Sequence, residues 1–399
     1  MPFIGNQPTA VPLTSADITD GIITSAKIAD GTIVNADINA SAGIVASKLT
    51  GISSQPFRNI VINGDMQIAQ RNTSVASITT NGYYTLDRYQ LQMDSLGTWT
   101  MSQSTDVPSG YGFGKSLKLD CTTADASPSA GDYMVLVQKF EGQNLQYLKK
   151  GTANAVSLTL SFWIKSTKTG TFIIELLDND NSRSISKSYT VNASNTWEFK
   201  TITFAGDTTG VFDNDNGTSL ICYFWLGAGT TYTSGTLATS WGSITTANKA
   251  VGQVNIADST ANDFFITGIQ LEAGTSATDF EFLPFDVNLD RCQRYFQKSM
   301  PYNSYSNSQY GDGFETVLTS GTVTGQSNGL QFMKEFRTTP TLSIYRIVDG
   351  TSGSMYRVST AGTVTATPTY IGTKQVGYFA MGTAVDDMFQ FNYRADAEL

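Results

Sequence analysis

Aromatic residues in polar loops are the residues of this sequence whose type and spacing could bind a ligand. Trp241 lies in TYTSGTLATSWGS, and Tyr302, Tyr305 and Tyr310 lie in PYNSYSNSQYGDG. A pyranose ring has apolar C–H faces and polar edges, so flat aromatic rings beside amides and hydroxyls suit sugar recognition. These four residues are the predicted glycan-binding candidates. The alternative is that their rings pack beneath their own loops or against a neighbouring subunit.

The sequence offers little for catalysis, because none of its 399 residues is a histidine. This removes the most common general base, the Ser-His and Cys-His nucleophile systems and any His-containing metal site. Paired carboxylates could cleave a glycosidic bond, but among 34 Asp and Glu residues some pair will always be close. A nucleophile elbow, a P-loop and a dinucleotide fingerprint are all missing from the sequence. We therefore expect a protein that is not an enzyme and uses no cofactor.

One segment has the composition of a metal site. In DNDNG, Asp213 and Asp215 provide the alternating oxygen ligands of half a calcium loop. The distal glutamate that would bind calcium through both oxygens is missing at the required offset. Asx-rich turns explain the segment better, so no metal is expected.

Charge and cysteine usage limit the partners. The net charge is −9 and no Lys/Arg-rich run is present, so nucleic acid is not an expected partner. No apolar run has membrane-spanning length, and the start MPFIGNQPTAVPLTS lacks the features of a signal peptide. Cys121, Cys222 and Cys292 show no paired spacing and are predicted to be buried thiols. Synthesis in a reducing cytoplasm is expected.

A ten-residue repeat dominates residues 14–55. It reads TSADITDGII, TSAKIADGTI and VNADINASAG, followed by the looser VASKLTGI. Self-similarity at a fixed period is typical of repeat architectures. The predicted axis-facing residues are Ile18, Ile23, Ile28, Ile33, Ile38, Ile44 and Leu49.

The energetics of one repeat indicate how these residues are buried. Each large aliphatic side chain contributes roughly 1.5–3 kcal/mol when buried, whereas ordering one repeat costs on the order of 10–20 kcal/mol of backbone entropy. A single chain cannot meet that difference, so identical copies are expected to pack around a common axis as a short fibrous shaft. A flexible linker is the alternative, although a linker does not need isoleucines in phase. The repeat itself does not distinguish a trimer from a dimer.

Residues 1–13 precede the repeat and contain Phe3, Ile4 and three prolines. A short apolar head on a shaft suggests a docking peptide, with a frayed terminus as the alternative.

Short strands dominate from residue 56 to residue 285. Val156–Ile164 alternates between apolar and polar residues, as for a strand with one buried and one wet face. Many such strands joined by Gly-, Asn- and Asp-rich turns predict a β-sandwich of the jelly-roll type. Trp163 and Trp225 lie within apolar strands and are predicted to be core residues.

The remaining sequence predicts one helix and a second β domain. Asp286–Ser299 is the predicted helix, and it links the sandwich to the C-terminal part as residues 286–300. Residues 301–399 predict a smaller β tip domain. The helix would present one apolar stripe, formed by Leu289, Cys292, Tyr295 and Phe296. The expected fold class is therefore all-β.

Several segments resemble a known class of protein. NIVINGDMQIAQRNTS with YTLDRY downstream, and residues 264–297, resemble the central domain of many phage tail-fibre proteins. Asn59–Asp65 and Phe264–Glu272 also resemble the first and last strands of carbohydrate-binding modules with a jelly-roll fold. The repeats and the segment FNYRADAEL are similar to phage fibre shafts and tips.

The resemblance implies a homotrimeric tail fibre, carried on the virion as a tail appendage. Residues 1–13, with Phe3 and Ile4, would anchor it to a phage tail or adaptor protein. The β domains would attach to host surface polysaccharide or lipopolysaccharide. Two alternatives stay open: a structural appendage without receptor affinity, and a polysaccharide depolymerase.

The shaft hypothesis predicts the mass of the assembly. The full chain is expected at three times its 43.0 kDa, and residues 56–399 alone at a smaller multiple, because the isoleucine rows would be gone. Sedimentation equilibrium of both proteins measures this. A well-folded monomer of the full chain in dilute solution would contradict the shaft.

Overall fold

The computed structural model describes residues 57–308, 313–319, 329–381 and 387–399, together with Ile23, Thr24, Ile28 and Asp37. The chain divides after Ser54 into two units, and all the strands given below belong to the second, Gln55–Leu399.

Most of the predicted shaft and anchor lies outside the described residues. Of the axis-facing residues, Ile23 and Ile28 are described, and they are 53% and 38% exposed in the single chain. The residues that lie outside are Phe3, Ile4, Ile18, Ile33, Ile38, Ile44 and Leu49. The anchor, the trimer axis and the predicted domain bounds therefore stay predictions.

The described chain is rich in strands, as its β-branched and aromatic residues predict. The strands of its N-terminal part are β1 Ser74–Ile78, β2 Gln90–Asp94, β3 Thr98–Ser104, β4 Ser116–Thr123, β5 Tyr133–Glu141, β6 Leu158–Ser166, β7 Gly170–Asp178, β8 Arg183–Val191, β9 Glu198–Phe204, β10 Thr218–Ala228, β11 Gly242–Ser243 and β12 Asp263–Ala273.

Further strands follow towards the C-terminal end. They are β13 Phe296–Lys298, β14 Glu315–Thr319, β15 Leu330–Gln331, β16 Thr341–Arg346, β17 Ser354–Arg357, β18 Gly362–Ile371, β19 Gln375–Met381 and β20 Asp387–Asp396. The described α-helices are α1 Thr230–Thr233 and α2 Phe285–Gln293, and the 3-10 turns are Gly142–Asn144, Gln146–Leu148, Thr246–Asn248 and Ile256–Asp258.

Two antiparallel sheets form a sandwich. The first has the order β1-β3-β4-β12-β6-β9 and the second β11-β8-β7-β10-β5-β2. Alternate side chains from both sheets meet in one core, which includes Trp99, Phe162, Phe172, Phe224 and Phe264. Each of these rings is at most 1% exposed. The predicted all-β class with a β-sandwich is thus confirmed.

The third sheet is built around strand β20. Its order is β13-β20-β17-β18-β19-β15, and β14 and β16 also pair with β20. Phe336, Phe379, Phe389 and Phe391 fill a separate core beside it, each at most 1% exposed.

The predicted helix Asp286–Ser299 is wrong in its second half. Helix α2 ends at Gln293, and Phe296–Lys298 form strand β13, which pairs antiparallel with β20. The sheet satisfies the backbone groups of this segment, so the apolar stripe does not continue as a helix. Cys292 and Tyr295 still pack together, next to Ile62.

Buried arginines connect the C-terminal segment to the sandwich. The guanidinium of Arg88, 1% exposed, pairs with Glu398 and lies 3.5 Å from the centre of the Tyr295 ring. Arg71 is 2.8 Å from Asp396 and 3.4 Å from Glu398. A buried cation needs such partners, so this segment is held against the sandwich.

Glu198 holds the connection from β8 to β9, which crosses between the two sheets. Its carboxylate accepts 2.8 Å hydrogen bonds from the backbone N–H groups of Asn192 and Ala193 and another from Lys200. Burial opposes the charge, but these donors outweigh it and lower the pKa of Glu198 to about 2, from an ordinary 4.5.

Removing the partner of Arg88 should destabilise the fold. Glu398→Gln leaves a buried guanidinium without its carboxylate, and we expect a loss of about 3–5 kcal/mol in the free energy of unfolding. Urea denaturation measures it. Glu335→Gln is the matched control, because Glu335 pairs with Lys374 where both side chains are more than half exposed; we expect it to cost less than about 1 kcal/mol. Equal losses would contradict the role of Arg88.

The low pKa of Glu198 predicts a dependence of stability on pH. Between pH 4.5 and about 2 the folded protein keeps the carboxylate ionised while the unfolded chain protonates it, so its stabilisation is lost as pH falls. The melting temperature of Glu198→Gln should therefore fall less steeply over this window than that of the wild type. Lys200→Met keeps the carboxylate but loses one donor, so the pKa of Glu198 in the folded protein should rise, and the loss of stability should be smaller and end at a higher pH. Identical slopes in all three proteins would disprove this role.

Candidate functional site

Strand β6 sends alternate side chains to the two faces of the first sheet. Phe162 and Ile164 lie in the sandwich core, fully buried. Trp163, between them, therefore faces outwards and is only half-buried. The prediction that Trp163 is a core residue is wrong for this reason. Trp225 is 3% exposed and buried, as predicted.

Trp163 is the centre of a row of three aromatic rings. Phe199 on β9 stands opposite it in the strand register, with ring centres 5.3 Å apart. Tyr111, from the loop before β4, lies on its other side at 4.2 Å. Tyr111 is 56% exposed and Phe199 48% exposed, so the row is open to solvent. We call these three residues the aromatic row.

A second group of rings faces the aromatic row. Phe113 lies 5.1 Å from both Phe280 and Phe282, which are 4.8 Å from each other. Gly268, with φ +63°, lies in the irregular part of β12 directly beneath, and a Cβ at this position would come within 2.6 Å of the Phe113 ring. The space between this group and the aromatic row is a cleft of about 420 Å³, the aromatic cleft.

Polar groups line the same cleft and are held in place. Ser161, Thr278 and Asp279 contribute hydroxyl and carboxylate oxygens to the lining. The hydroxyl of Thr278 donates to Glu272 at 2.7 Å and accepts from Arg58 at 2.7 Å, while its backbone N–H donates to Glu272 at 2.8 Å. The loop that follows β12 is thus fixed to the sheet before any ligand arrives.

The loop that carries Tyr111 has its own anchor. Asp106 accepts hydrogen bonds from Lys165 and from the indole of Trp197, the latter at 3.0 Å. Burial is the largest single effect and raises the pKa of the Asp106 carboxyl, but the two hydrogen bonds and the charges of Lys165 and Lys118 together outweigh it, and the pKa lies below its usual range. The ammonium of Lys165 also lies 4.4 Å from the centre of the Phe265 ring. Such a rigid set of flat rings and oxygen groups can stack on an apolar face and hydrogen-bond to its edges.

The predicted candidate Trp241 does not line this cleft. Its indole N–H donates to the carbonyl of Ala205 at 2.7 Å, and its ring packs against the sandwich core. The ammonium of Lys150 lies 5.5 Å from the ring centre. These contacts favour the alternative that the ring packs beneath its own loop.

Tyr302 and Tyr305 do not line the aromatic cleft either. The hydroxyl of Tyr302 accepts from the N–H of Ala69 and donates to the carbonyl of Gln67, both at 2.8 Å. The ring of Tyr305 lies 4.8 Å from the ammonium of Lys298. Tyr310 is outside the described residues. A role of the three tyrosines in glycan binding stays a prediction.

The calcium candidates form turns. Oδ1 of Asp215 accepts from the N–H of Gly217 at 2.8 Å, and the N–H of Asp213 donates to Asp180 at 2.9 Å. Within the described part of the chain, no group of three or more acidic or Cys residues is placed to hold a metal ion.

Sequence reasoning missed Tyr111, Trp163 and Phe199. The signal for Trp163 was present in the alternation of Val156–Ile164, since Phe162 and Trp163 cannot face the same side of a strand. The meeting of Tyr111 and Phe199 depends on a loop and a strand pairing from distant parts of the chain, which no local pattern encodes.

No protein-family model matches the chain, and no similar curated protein was found. Among solved structures, the enzymatically active domain of bacteriophage CBA120 tailspike protein 4 is similar over 55% of this chain and 22% of its own length, at 17% identity and a TM-score of 0.29. The chain thus spans about a fifth of that tailspike domain.

Carbohydrate-binding modules are also among the similar structures. The module TmCBM61 in complex with beta-1,4-galactotriose matches 54% of this chain and 99% of its own, at 10% identity and a TM-score of 0.27. The family 11 module from Clostridium thermocellum, with a beta-1,3-1,4-mixed-linked tetrasaccharide, matches 51% of this chain and 98% of its own, at 14% identity and a TM-score of 0.25. TM-scores this far below 0.5 do not establish a shared fold. In the described residues, no helix is long and apolar enough to cross a membrane.

Proposed function

We propose that this protein binds a glycan in the aromatic cleft. The observation that carries the proposal is the open row of Tyr111, Trp163 and Phe199, with ring centres 4.2 and 5.3 Å apart. Contiguous exposed rings on a folded surface are unfavourable in water and mark interaction sites. The C–H face of a sugar ring would cover them and remove this apolar area from solvent.

The polar lining supports the same ligand class. Ser161, Thr278 and Asp279 stand beside the rings, where the hydroxyl edges of a stacked sugar would lie. Thr278 is already held by Arg58 and Glu272, so little side-chain entropy would be lost on binding. An open cleft of this kind fits an uncharged stretch of a surface polysaccharide.

We infer further that the protein is a phage tail fibre that mediates attachment to the host. The in-phase repeats of residues 14–55 and the resemblance of several segments to tail-fibre proteins support this. A homotrimer would present three aromatic clefts at once, and many fibres per virion would add to them, so weak single sites would give firm attachment. Residues 1–13 would dock to a tail or adaptor protein, and the ligand would be host polysaccharide or lipopolysaccharide.

The proposed function is binding without hydrolysis. The absence of histidine and of known catalytic motifs from the sequence supports it. Incubation with host envelope polysaccharide should release no reducing sugar. Release of sugar ends would establish the depolymerase alternative instead, and failure of the trimer to bind any host envelope fraction would favour the structural appendage.

Truncating the aromatic row should weaken binding. We expect Tyr111→Ala and Phe199→Ala each to raise the Kd for host polysaccharide roughly tenfold, because each ring contributes on the order of 1–1.5 kcal/mol of stacking. Both side chains are about half exposed, so both variants should fold. Binding of purified trimers to immobilised polysaccharide measures the effect.

Two control variants complete the design. Tyr370→Ala removes another exposed tyrosine, 77% exposed and on the third sheet, and should leave the Kd unchanged. Trp241→Ala tests the site predicted from sequence and should leave binding within a factor of two or three. A large loss in Trp241→Ala, with none in Tyr111→Ala or Phe199→Ala, would refute binding at the aromatic cleft.

A further inference from the structure

A larger cavity lies between the sandwich, helix α2 and the segment before β16. Its volume is about 900 Å³, and it shares no lining residue with the aromatic cleft. Four cationic side chains line it: Lys139 from β5, Arg291 and Arg294 from α2 and its end, and Arg337. We call it the cationic cavity.

Arg291 is the least satisfied of these cations. In the described chain its guanidinium makes one hydrogen bond, from Nη2 to the carbonyl of Asn59 at 3.3 Å, and has no carboxylate within 4 Å. Burial lowers the pKa of Arg291 and the positive charge of Arg88 lowers it further, while Cys292, Tyr295 and Glu281 act in the opposite direction. A guanidinium carries five N–H donors, so most of the donors of Arg291 have no acceptor among the described residues.

Lys139 and Arg337 are bonded to main-chain oxygens. The ammonium of Lys139 donates to the main-chain oxygen of Leu399 at 2.6 Å, and Arg337 donates to Ala397 at 2.6 Å and to Asn216 and Glu398 at 2.9 Å each. Among the described residues, no Asp or Glu side chain lies within 4 Å of either cation. Burial lowers the pKa of both groups and repulsion from Arg88 lowers it further, whereas Glu398 acts in the opposite direction on both and Glu141 does so on Arg337. Neither cation therefore forms a salt bridge with an acidic side chain of the described residues.

Three carboxylates line the cavity, and two of them are paired with cations; the third, Asp215, accepts a hydrogen bond from the N–H of Gly217. Glu141 accepts two 2.8 Å hydrogen bonds from Arg294 and one of 2.5 Å from the hydroxyl of Tyr295. Glu335 pairs with Lys374 at 3.3 Å, outside the group of cations. In a chain of net charge −9, the four cations of this cavity outnumber its three acidic side chains, and Lys139, Arg291 and Arg337 have no Asp or Glu side chain within 4 Å among the described residues. An excess of this kind attracts anions.

Tyr147 and Asn144 also line the cavity, and the side chain of Tyr147 is 50% exposed. An aromatic ring and an amide are groups to which a sugar ring could bind. We propose that the cationic cavity binds an anionic saccharide: its acidic group meets Arg291, Lys139 and Arg337, and its ring lies on Tyr147. This site is independent of the aromatic cleft and would give the chain a second specificity, for charged rather than neutral sugar units.

The test uses the full chain and trigalacturonate, with its methyl ester as the uncharged match. Calorimetric titration should show binding of the acid and none of the ester, and affinity should fall tenfold or more when salt is raised from about 0.05 M to about 0.5 M. Equal binding of acid and ester, or of neither, would overturn the proposal.

Variants locate the site. Arg291→Gln should weaken trigalacturonate binding at least tenfold and raise the melting temperature of the free protein, because it removes a half-buried charge that has no Asp or Glu side chain within 4 Å in the described residues. Lys334→Gln is the matched control. Lys334 pairs with Asp290, which lies on the same helix as Arg291. The Lys334 side chain is 45% exposed and does not line the cavity. It should change neither quantity. Undiminished binding in Arg291→Gln would overturn the assignment.

Two further measurements distinguish saccharide binding from the binding of a small ion, and binding in the cationic cavity from binding in the aromatic cleft. Tyr147→Ala should weaken trigalacturonate several-fold and leave any response to inorganic phosphate unchanged. Tyr111→Ala should leave trigalacturonate binding intact. Phosphate that stabilises the protein as strongly as trigalacturonate, or a loss of trigalacturonate binding in Tyr111→Ala, would contradict a separate saccharide site.

Discussion

The two-residue period of strand β6 is the constraint on which the candidate site depends. Phe162 and Ile164 complete the core between the two sheets, and this leaves Trp163 no place but the outer face. A register shift of one residue would bury Trp163 and expose Phe162, at the cost of the core itself. The stability of the sandwich and the presence of the aromatic row are therefore two consequences of one strand register.

A second constraint is the contact between the segment after β20 and the sandwich. The segment after β20 returns to the sandwich, where Glu398 meets the buried Arg88. This contact brings helix α2, the third sheet and the sandwich together within one compact unit, and the cationic cavity is the space left between them. The positive charge of Arg88 lowers the pKa of Lys139, Arg291 and Arg337, while the negative charge of Glu398 raises the pKa of Lys139 and Arg337. The two charges of this contact therefore act in opposite directions on the cations of the cavity.

Patterns within single segments of the sequence predicted the features that depend on neighbouring residues, namely strands, turns and fold class. The alternation of Val156–Ile164, the turns and the aromatic and β-branched content were enough for an all-β sandwich. The helix was placed correctly at its start but not at its end, because β13 pairs with β20 from almost a hundred residues away. Trp241 was singled out as a ring in a polar loop, yet its partner Ala205 is also distant in sequence. The aromatic row was missed because three separate segments, the loop before β4 and strands β6 and β9, must meet to form it.

A structure of the full chain with a bound neutral host oligosaccharide would show whether the glycan binds in the aromatic cleft. We expect a sugar ring stacked on Trp163 and Phe199, with its hydroxyls directed at Ser161 and Asp279. A saccharide bound at Trp241 or at Tyr302, with the aromatic cleft vacant, would contradict it.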